Sequence, residues 1–168
     1  MKIRHEDIEI HEFSVDEIDT YLDFINKVKA TMEHPEWLGD FTKEDLVNLL
    51  STNSYGFLFK YNNEIVGSSI LIPAREKDIK KFELEIDASI TMDYGPEGVA
   101  KVAQGNGIQL FILEKMDEFS KEKGYSYAVS TVHPDNVFCI RNMEKHGFKY
   151  TKTKEFSRGI RNIYYKSI

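Results

Sequence analysis

The sequence has very little cysteine and no long hydrophobic run. Cys139 is the single cysteine, so no disulfide can form within the chain. No cluster of Cys and His has the spacing of zinc ligands, and we therefore expect no metal site. No apolar run approaches the roughly 20 residues that cross a bilayer, and the opening residues MKIRHEDIEI lack the apolar centre of a signal peptide. We expect a cytoplasmic protein with no membrane partner.

The chain also lacks an excess of positive charge. It has 22 Lys and Arg residues against 28 Asp and Glu residues, a formal net charge of −6. Nucleic acids and anionic membranes bind basic surfaces, so we expect no nucleic-acid partner, and an anionic ligand must be held by a local feature. Hydrophobic residues make up 41% of the 168 residues and charged residues 30%. This balance and length are typical of one globular domain, here residues 1–168.

Hydrophobic periodicity predicts an alternation of strands and helices, and hence an α/β protein. A capping-box pattern begins at Ser14, and Asn62-Asn63 is typical of a tight hairpin turn. We predict helices at residues 14–32, 42–50, 108–123 and 135–146. We predict strands at residues 8–13, 56–61, 65–72, 82–93 and 125–132, and a terminal hairpin that joins 148–156 to 162–168.

Residues 82–93 show the most regular pattern of the chain. Apolar and polar residues alternate without a break from Phe82 to Asp93. A period of two predicts a long strand with one buried face, and Glu85 and Asp87 then lie on its polar face. Gly95, Pro96 and Gly98 follow, and we expect them to end the strand.

A glycine-rich turn stands directly before the third predicted helix, in the segment AQGNGIQLF. Gly105 and Gly107 flank Asn106 there. The first N–H groups of a helix lack partners and the helix dipole attracts anions, while glycine lets an anion approach the backbone closely. The segment therefore predicts an anion site, with a simple turn as the alternative. It fits neither a dinucleotide-binding fingerprint nor a P-loop, because Ile108, Gln109 and Leu110 occupy the places that those motifs require.

Two motifs together resemble the GNAT superfamily of N-acetyltransferases over nearly the whole chain. The cofactor motif of that family is Gln or Arg, two residues, Gly, one residue, then Gly or Ala. Residues 104–108 fit its first five places, and Gln109 departs from the sixth. The later corner is also similar, because Asn136 stands where an asparagine commonly faces the coenzyme, Cys139 stands at a small-residue place and residues 144–148 match the motif's ending in glycine and phenylalanine.

The resemblance implies a mixed, mostly antiparallel sheet of about six to seven strands with about four helices, and acetyl-CoA as the cosubstrate. Backbone N–H groups of the glycine turn are expected to hold the pyrophosphate, and the pantetheine arm to lie near Met92, where the fourth and fifth strands separate. The segment 94–103 is long for the family, so Val99 in the strand is an alternative. The implied coenzyme-binding residues are Met92, Gln104, Gly105, Asn106, Gly107, Ile108, Gln109, Leu110 and Asn136.

The implied reaction moves an acetyl group from acetyl-CoA to a primary amine of a small molecule, peptide or protein, by direct attack on the thioester. A base must remove a proton from the amine, and Glu85 or Asp87 is the expected group, with a merely solvated strand face as the alternative. The tyrosine place of the family is Met143 here, so the general acid stays open. The acidic strand face favours a cationic acceptor.

Several alternatives stay open. The chain could bind acyl-CoA without catalysis as a sensor or regulatory domain, or bind another phosphorylated ligand. Asn136 fits a helix cap as well as a coenzyme contact, and Cys139 fits core packing better than a nucleophile. Homodimerisation through the terminal hairpin or exposed strand edges is open, because no sequence feature decides it.

Overall fold

The computed structural model describes residues 1–168 and contains seven strands and five α-helices. The elements are, in chain order, β1 (Glu9–Phe13), α1 (Ile18–Ala30), α2 (Lys43–Leu50), β2 (Tyr55–Tyr61), β3 (Glu64–Pro73), α3 (Glu76–Lys81), β4 (Thr91–Val99), α4 (Ile108–Glu122), β5 (Tyr127–Val132), α5 (Val137–Lys145), β6 (Lys149–Phe156) and β7 (Gly159–Ser167). The strands form one sheet in the order β1-β2-β3-β4-β5-β7-β6. β4 and β5 pair in parallel, and the pairs β1/β2, β2/β3, β5/β7 and β6/β7 are antiparallel. The predicted mixed, mostly antiparallel α/β fold is confirmed.

The residues group into two compact units. The first comprises Met1–Leu71 and Pro96–Ile112, and the second comprises Ile72–Gly95 and Leu113–Ile168. The single domain expected over 1–168 stays a prediction, and each unit is described by itself below. None of the helices is long and apolar enough to span a bilayer.

In the first unit, α1 begins as the sequence predicts. Ser14 and Glu17 form a capping box ahead of a short 3-10 turn at Val15–Glu17, which leads into the helix. Such a cap satisfies backbone groups that the helix leaves unpaired. The helix buries one apolar stripe, made of Ile18, Tyr21, Phe24, Ile25 and Val28.

Two glycines let helices of the first unit approach the sheet closely. A Cβ at Gly98 would lie 2.8 Å from the Ile25 side chain of α1, and a Cβ at Gly67 would lie 2.8 Å from Ile112 of α4. Both distances are shorter than a real carbon contact allows, so a larger residue would push the helix away. Gly98 is therefore a packing position inside β4 and does not end the strand. The alternative that places Val99 in the strand is confirmed.

In the second unit, the predicted strand at 82–93 is wrong over most of its length. α3 ends at Lys81, Glu83 has a left-handed backbone with φ of 56°, and a 3-10 turn occupies Ala88–Ile90 before β4 begins at Thr91. The alternation is nevertheless real as a burial pattern. Phe82 is buried in an apolar cluster with Ile79, Val129 and Ile163, and Leu84, Ile86 and Ala88 pack against that cluster. The alternation of apolar and polar residues therefore reflects which side chains of this loop are buried.

The remaining elements of the second unit follow the predictions closely. α5 is capped by Asn136, and Gly147 follows its C-terminus with a φ of 94°. β6 and β7 form the terminal hairpin, which turns so tightly that Phe156 already pairs with Gly159. Arg158 lies within that turn.

Candidate functional site

The glycine turn of the first unit has the backbone that an anion site requires. Gly105 and Gly107 have φ of 82° and 68°, values that residues with a side chain rarely adopt. No atom lies within 4 Å of the position that a Cβ at Gly105 would occupy, so this backbone is open on its outer side. The N–H of Phe111 bonds the carbonyl of Gly107 at 3.0 Å, which leaves the preceding amides as the ones without an i−4 partner.

Asn106 holds this turn in place through contacts with the start of the chain. Its Oδ1 accepts the N–H of Ile3 at 2.8 Å, and its Nδ2 donates to the carbonyl of Ala103 at 3.0 Å. The His5 Nε2 donates to the carbonyl of Asn106 at 2.6 Å, and the His5 ring lies against Phe111 with centroids 5.0 Å apart. The geometry therefore gives Asn106 a positioning role, whereas the motif implied only a place in the coenzyme site.

In the second unit, the parallel pairing between β4 and β5 is short. It comprises Thr91 with Tyr127, Met92 with Ala128 and Asp93 with Val129. Beyond this point the Ser130 hydroxyl donates to the carbonyl of Tyr94 at 3.0 Å. Met92 is the residue that we expect near the pantetheine arm. It is fully buried and is the second of the three β4 residues in this pairing. Its contact with a coenzyme stays a prediction.

Asp93 is the residue that the sequence analysis did not select. It is paired with Val129 at the end of the ladder, so its side chain lies on the sheet face of Val129 and Thr131. Burial raises its pKa from 3.8 to about 7, because a carboxylate is poorly solvated there. Gly95-Pro96, which begins two residues after it, signals the end of this pairing because proline cannot donate to a continuing ladder, but nothing in the sequence signals the raised pKa.

Glu85 and Asp87 were predicted as bases on the polar face of a strand, and the structure does not support that placement. Both side chains are exposed in the segment between α3 and β4, and neither lies on a strand. The Asp87 Oδ1 accepts the N–H and the hydroxyl of Ser89, at 2.9 and 2.7 Å. The Ser89 hydroxyl and N–H hold the pKa of Asp87 below its ordinary value, so this carboxylate is a weaker base than a solvated one.

Asn136 acts as a helix cap, one of the two alternatives stated for it. Its Oδ1 accepts the N–H of Cys139 at 3.3 Å. The Cys139 sulfur lies 3.7 Å from the sulfur of Met143, which is 3% exposed, and this contact agrees with a packing role for the thiol. A contact between Asn136 and a coenzyme stays a prediction.

A polar network surrounds Asp117 of α4 in the second unit. Its carboxylate accepts from the Tyr94 hydroxyl at 2.6 Å, from the His146 Nε2 at 2.8 Å and from the Lys166 ammonium group. Burial raises the pKa of Asp117, but the bonds from His146, Lys166 and Tyr94 outweigh it and hold the pKa below its ordinary value. Because its hydroxyl already bonds a carboxylate, Tyr94 is a poor choice of general acid.

The sequence-predicted residues are divided between the two units. The segment from Gln104 to Leu110 lies in the first unit, and Met92, Glu85, Asp87 and Asn136 lie in the second. Within the second unit the structure adds Asp93 to the strand that carries Met92. It leaves Glu85 and Asp87 on an exposed segment.

Comparison with known proteins identifies the fold. No family model and no curated protein sequence matches the chain. Among solved structures, a GNAT-family acetyltransferase from Streptococcus pneumoniae superposes with a TM-score of 0.73 at 18% identity, covering 96% of this chain and 99% of that one. The ribosomal-protein-S18-alanine N-acetyltransferase from Escherichia coli gives a TM-score of 0.72 at 11% identity, covering 96% and 94%.

A third neighbour was solved with its ligand. It is a GNAT-family acetyltransferase from Elizabethkingia anophelis with acetyl-CoA bound, similar with a TM-score of 0.66 at 19% identity over 97% of this chain and 99% of that one. Identities this low establish a shared architecture and leave the substrate unassigned. The resemblance seen in the two sequence motifs is confirmed, and the chain has the GNAT fold.

Proposed function

We propose that the protein is an N-acyltransferase that moves an acetyl group from acetyl-CoA to a primary amine. The observation that carries the proposal is Asp93, a carboxyl group with a pKa of about 7 at the residue where the β4/β5 pairing ends. A group with this pKa is divided between its acid and base forms at neutral pH, which suits a general base. The GNAT fold of the chain and the acetyl-CoA bound to one structural neighbour support the same reaction.

The glycine turn is the part of the chain that fits the coenzyme pyrophosphate. Gly105 and Gly107 expose backbone at the start of α4, where amide donors and the helix dipole favour a negative charge. The same property explains how a chain with a net charge of −6 can hold a polyanion, because the donors are uncharged amides. Gln109 keeps its backbone N–H, so its departure from the motif does not remove a donor.

The reaction requires little from the protein besides placement and proton transfer. The acceptor nitrogen forms a bond to the thioester carbonyl carbon, the carbon–sulfur bond breaks, and coenzyme A leaves as a thiolate. A primary amine is mostly protonated at neutral pH and must lose a proton before it attacks. We assign that proton to the Asp93 carboxylate, in place of Glu85 or Asp87. The attacking nitrogen loses a second proton as the amide forms, and that proton passes to the departing thiolate or to solvent. The thiolate therefore needs no separate acid, since a thiol pKa near 8.5 makes it a passable leaving group.

An acetyl-transfer assay with a panel of primary amines tests the proposal. We expect acetyl-dependent thiol release that rises with pH and levels off above about pH 7, the pKa of Asp93. Asp93→Asn should reduce kcat/KM by about 100-fold, the usual contribution of a general base, and leave acetyl-CoA binding intact. Asp87→Asn is the control and should change kcat/KM less than twofold. Binding of acetyl-CoA with no thiol release from any amine would instead indicate a sensor.

A further inference from the structure

Arg158 lies over the sheet face that carries Asp93. The residue occupies the turn between β6 and β7, and its guanidinium group donates to the hydroxyl of Thr131 on β5. Thr131 follows Val129 by two residues, so both side chains lie on one face, and Val129 is the register partner of Asp93. The register therefore places the Arg158 guanidinium group beside Thr131, two residues along β5 from the partner of the proposed base Asp93.

The other cations near this face are held by partners of their own. Arg161 lies on this face by the β5/β7 register, but it is buried and donates to the carbonyl of Ile160 at 2.8 Å. Arg75 forms two bonds with the Asp78 carboxylate, at 2.8 and 3.1 Å. Lys152 and Lys154 of the terminal hairpin both lie 3.5 Å from the Glu83 carboxylate. This pairing neutralises Glu83, one of the acidic residues on which the expectation of a cationic acceptor was based.

Arg158 differs from these cations because its bonding partner is a neutral hydroxyl. It makes no ion pair within 4 Å, and the register places it on the sheet face of Asp93. Burial raises the pKa of Asp93, and the charge of Arg158 partly opposes that effect, in agreement with the placement that the register gives. A guanidinium group has five N–H donors in a planar fork that matches a carboxylate. Most of that fork is available to a ligand.

We propose that the acceptor is a zwitterion, a small amine that also carries a carboxylate, as an amino acid does, and that Arg158 binds the carboxylate. The inference rests on the proposed function, in which Asp93 takes the proton from the amine. Binding the carboxylate at Arg158 directs the amine of the same molecule towards Asp93. An acceptor with positive charges alone would instead bring a cation against Arg158, which costs binding energy.

The test compares amino acids with their carboxamides, which have the same shape without the negative charge. For the wild-type protein, kcat/KM should be at least tenfold higher for the acid than for the amide, mainly through KM. Arg158→Gln should remove this preference while the reaction with the amide changes less than threefold. Comparing the ratio between variants cancels the different basicity of the two amines. Lys152→Gln removes a paired charge from the same hairpin and should leave the ratio unchanged.

The outcomes separate this inference from the function on which it rests. Turnover of amines with an acid-to-amide ratio that Arg158→Gln leaves unchanged overturns the zwitterionic acceptor and leaves the transferase intact. A preference for polyamines over amino acids has the same meaning. Absence of both acetyl-CoA binding and thiol release overturns the transferase, and the inference with it. Arg158→Lys should restore part of the preference, since it keeps the charge and loses the fork.

Discussion

Asp93 has a carboxyl group whose raised pKa affects folding as well as the proposed proton transfer. A pKa that rises from 3.8 in the unfolded chain to about 7 in the folded protein means that the folded state binds the proton more tightly. The acid form is then favoured by folding, and stability is lost as the pH rises from about 4 to about 7. The shift corresponds to about 4 kcal/mol at most.

Replacing Asp93 by Asn tests this linkage. We expect Asp93→Asn to raise the free energy of unfolding at pH 8, by on the order of 2 kcal/mol, and to change it little at pH 4, because the amide is neutral at both. Urea unfolding at the two pH values measures the difference. Asp87→Asn is the matched control, and its effect on stability should have the opposite sign. Ser89 lowers the pKa of Asp87, so replacing the Asp87 carboxylate should destabilise the protein only at pH values above that pKa. Equal effects of Asp93→Asn at both pH values would contradict the raised pKa.

Asn106 provides a second prediction, about the glycine turn. Asn106→Ala removes the acceptor of the Ile3 N–H and the donor to the Ala103 carbonyl, which should cost about 1–3 kcal/mol of stability. The turn then loses its fixed shape, and the Kd for acetyl-CoA should rise about tenfold, measured by titration calorimetry. Asn63→Ala is a control with the same change of side chain in the β2/β3 hairpin, and it should leave the Kd unchanged. An unaltered Kd in Asn106→Ala would show that the turn holds its shape without the amide.

The glycine turn could be predicted from the sequence because its signal is local. Two glycines around Asn106 predict a left-handed backbone before a helix. In the structure both Gly105 and Gly107 have positive φ. Asp93 could not be predicted, because its pKa depends on burial and on Arg158, which is distant in the sequence and is brought close by the β5/β7 register. The face of a strand depends on where the strand begins, and β4 begins at Thr91.

Helices and hairpins were predictable wherever caps and turns determine them. Ser14 forms the predicted capping box, Thr42 caps the helix that was predicted to begin there, and Asn62 and Asn63 have the positive φ of a tight turn. The segment after α3 was not predictable, since its alternation of apolar and polar residues satisfies a strand pattern. Tertiary packing decides against the strand, because Phe82 is the C-cap residue of α3 and is buried against Val129.

The network around Asp117 connects α4 with β4, α5 and β7 within the second unit. Lys166, whose side chain is 6% exposed, depends on this carboxylate for its charge partner. Asp117→Ala removes the carboxylate that this buried ammonium group contacts and should lower the free energy of unfolding by about 3–5 kcal/mol in urea unfolding. The pKa of Asp117 is held low by its partners, so wild-type stability should fall as the pH drops through that pKa.

A double variant shows whether charge pairing is the reason for that loss. Asp117→Leu combined with Lys166→Met replaces both charged groups with apolar side chains of similar length. It should recover most of the stability that Asp117→Ala loses, because no unpaired charge remains. Failure of the double variant to recover stability would assign the loss to Tyr94 or His146, which also donate to this carboxylate.

Across the whole molecule, the fold is retained at identities of 11–19% to its structural neighbours. What these chains can share at such identities is the order of elements and a few positions with a backbone requirement, such as a glycine turn before a helix. Side chains that determine specificity are the ones that vary most freely on a common scaffold. The fold alone therefore does not identify the acceptor, and the proposal for it rests on Arg158 and Asp93.

The hydrogen bonds that Asn106 makes have a thermodynamic consequence for the whole protein. Ile3, His5 and Ala103 already order the glycine turn when no ligand is present. The conformational entropy that a flexible loop loses on association is therefore lost here during folding. The stability of the native state thus supplies the order of the turn that the proposed coenzyme requires, and a change that loosens Ile3 or His5 should weaken coenzyme binding.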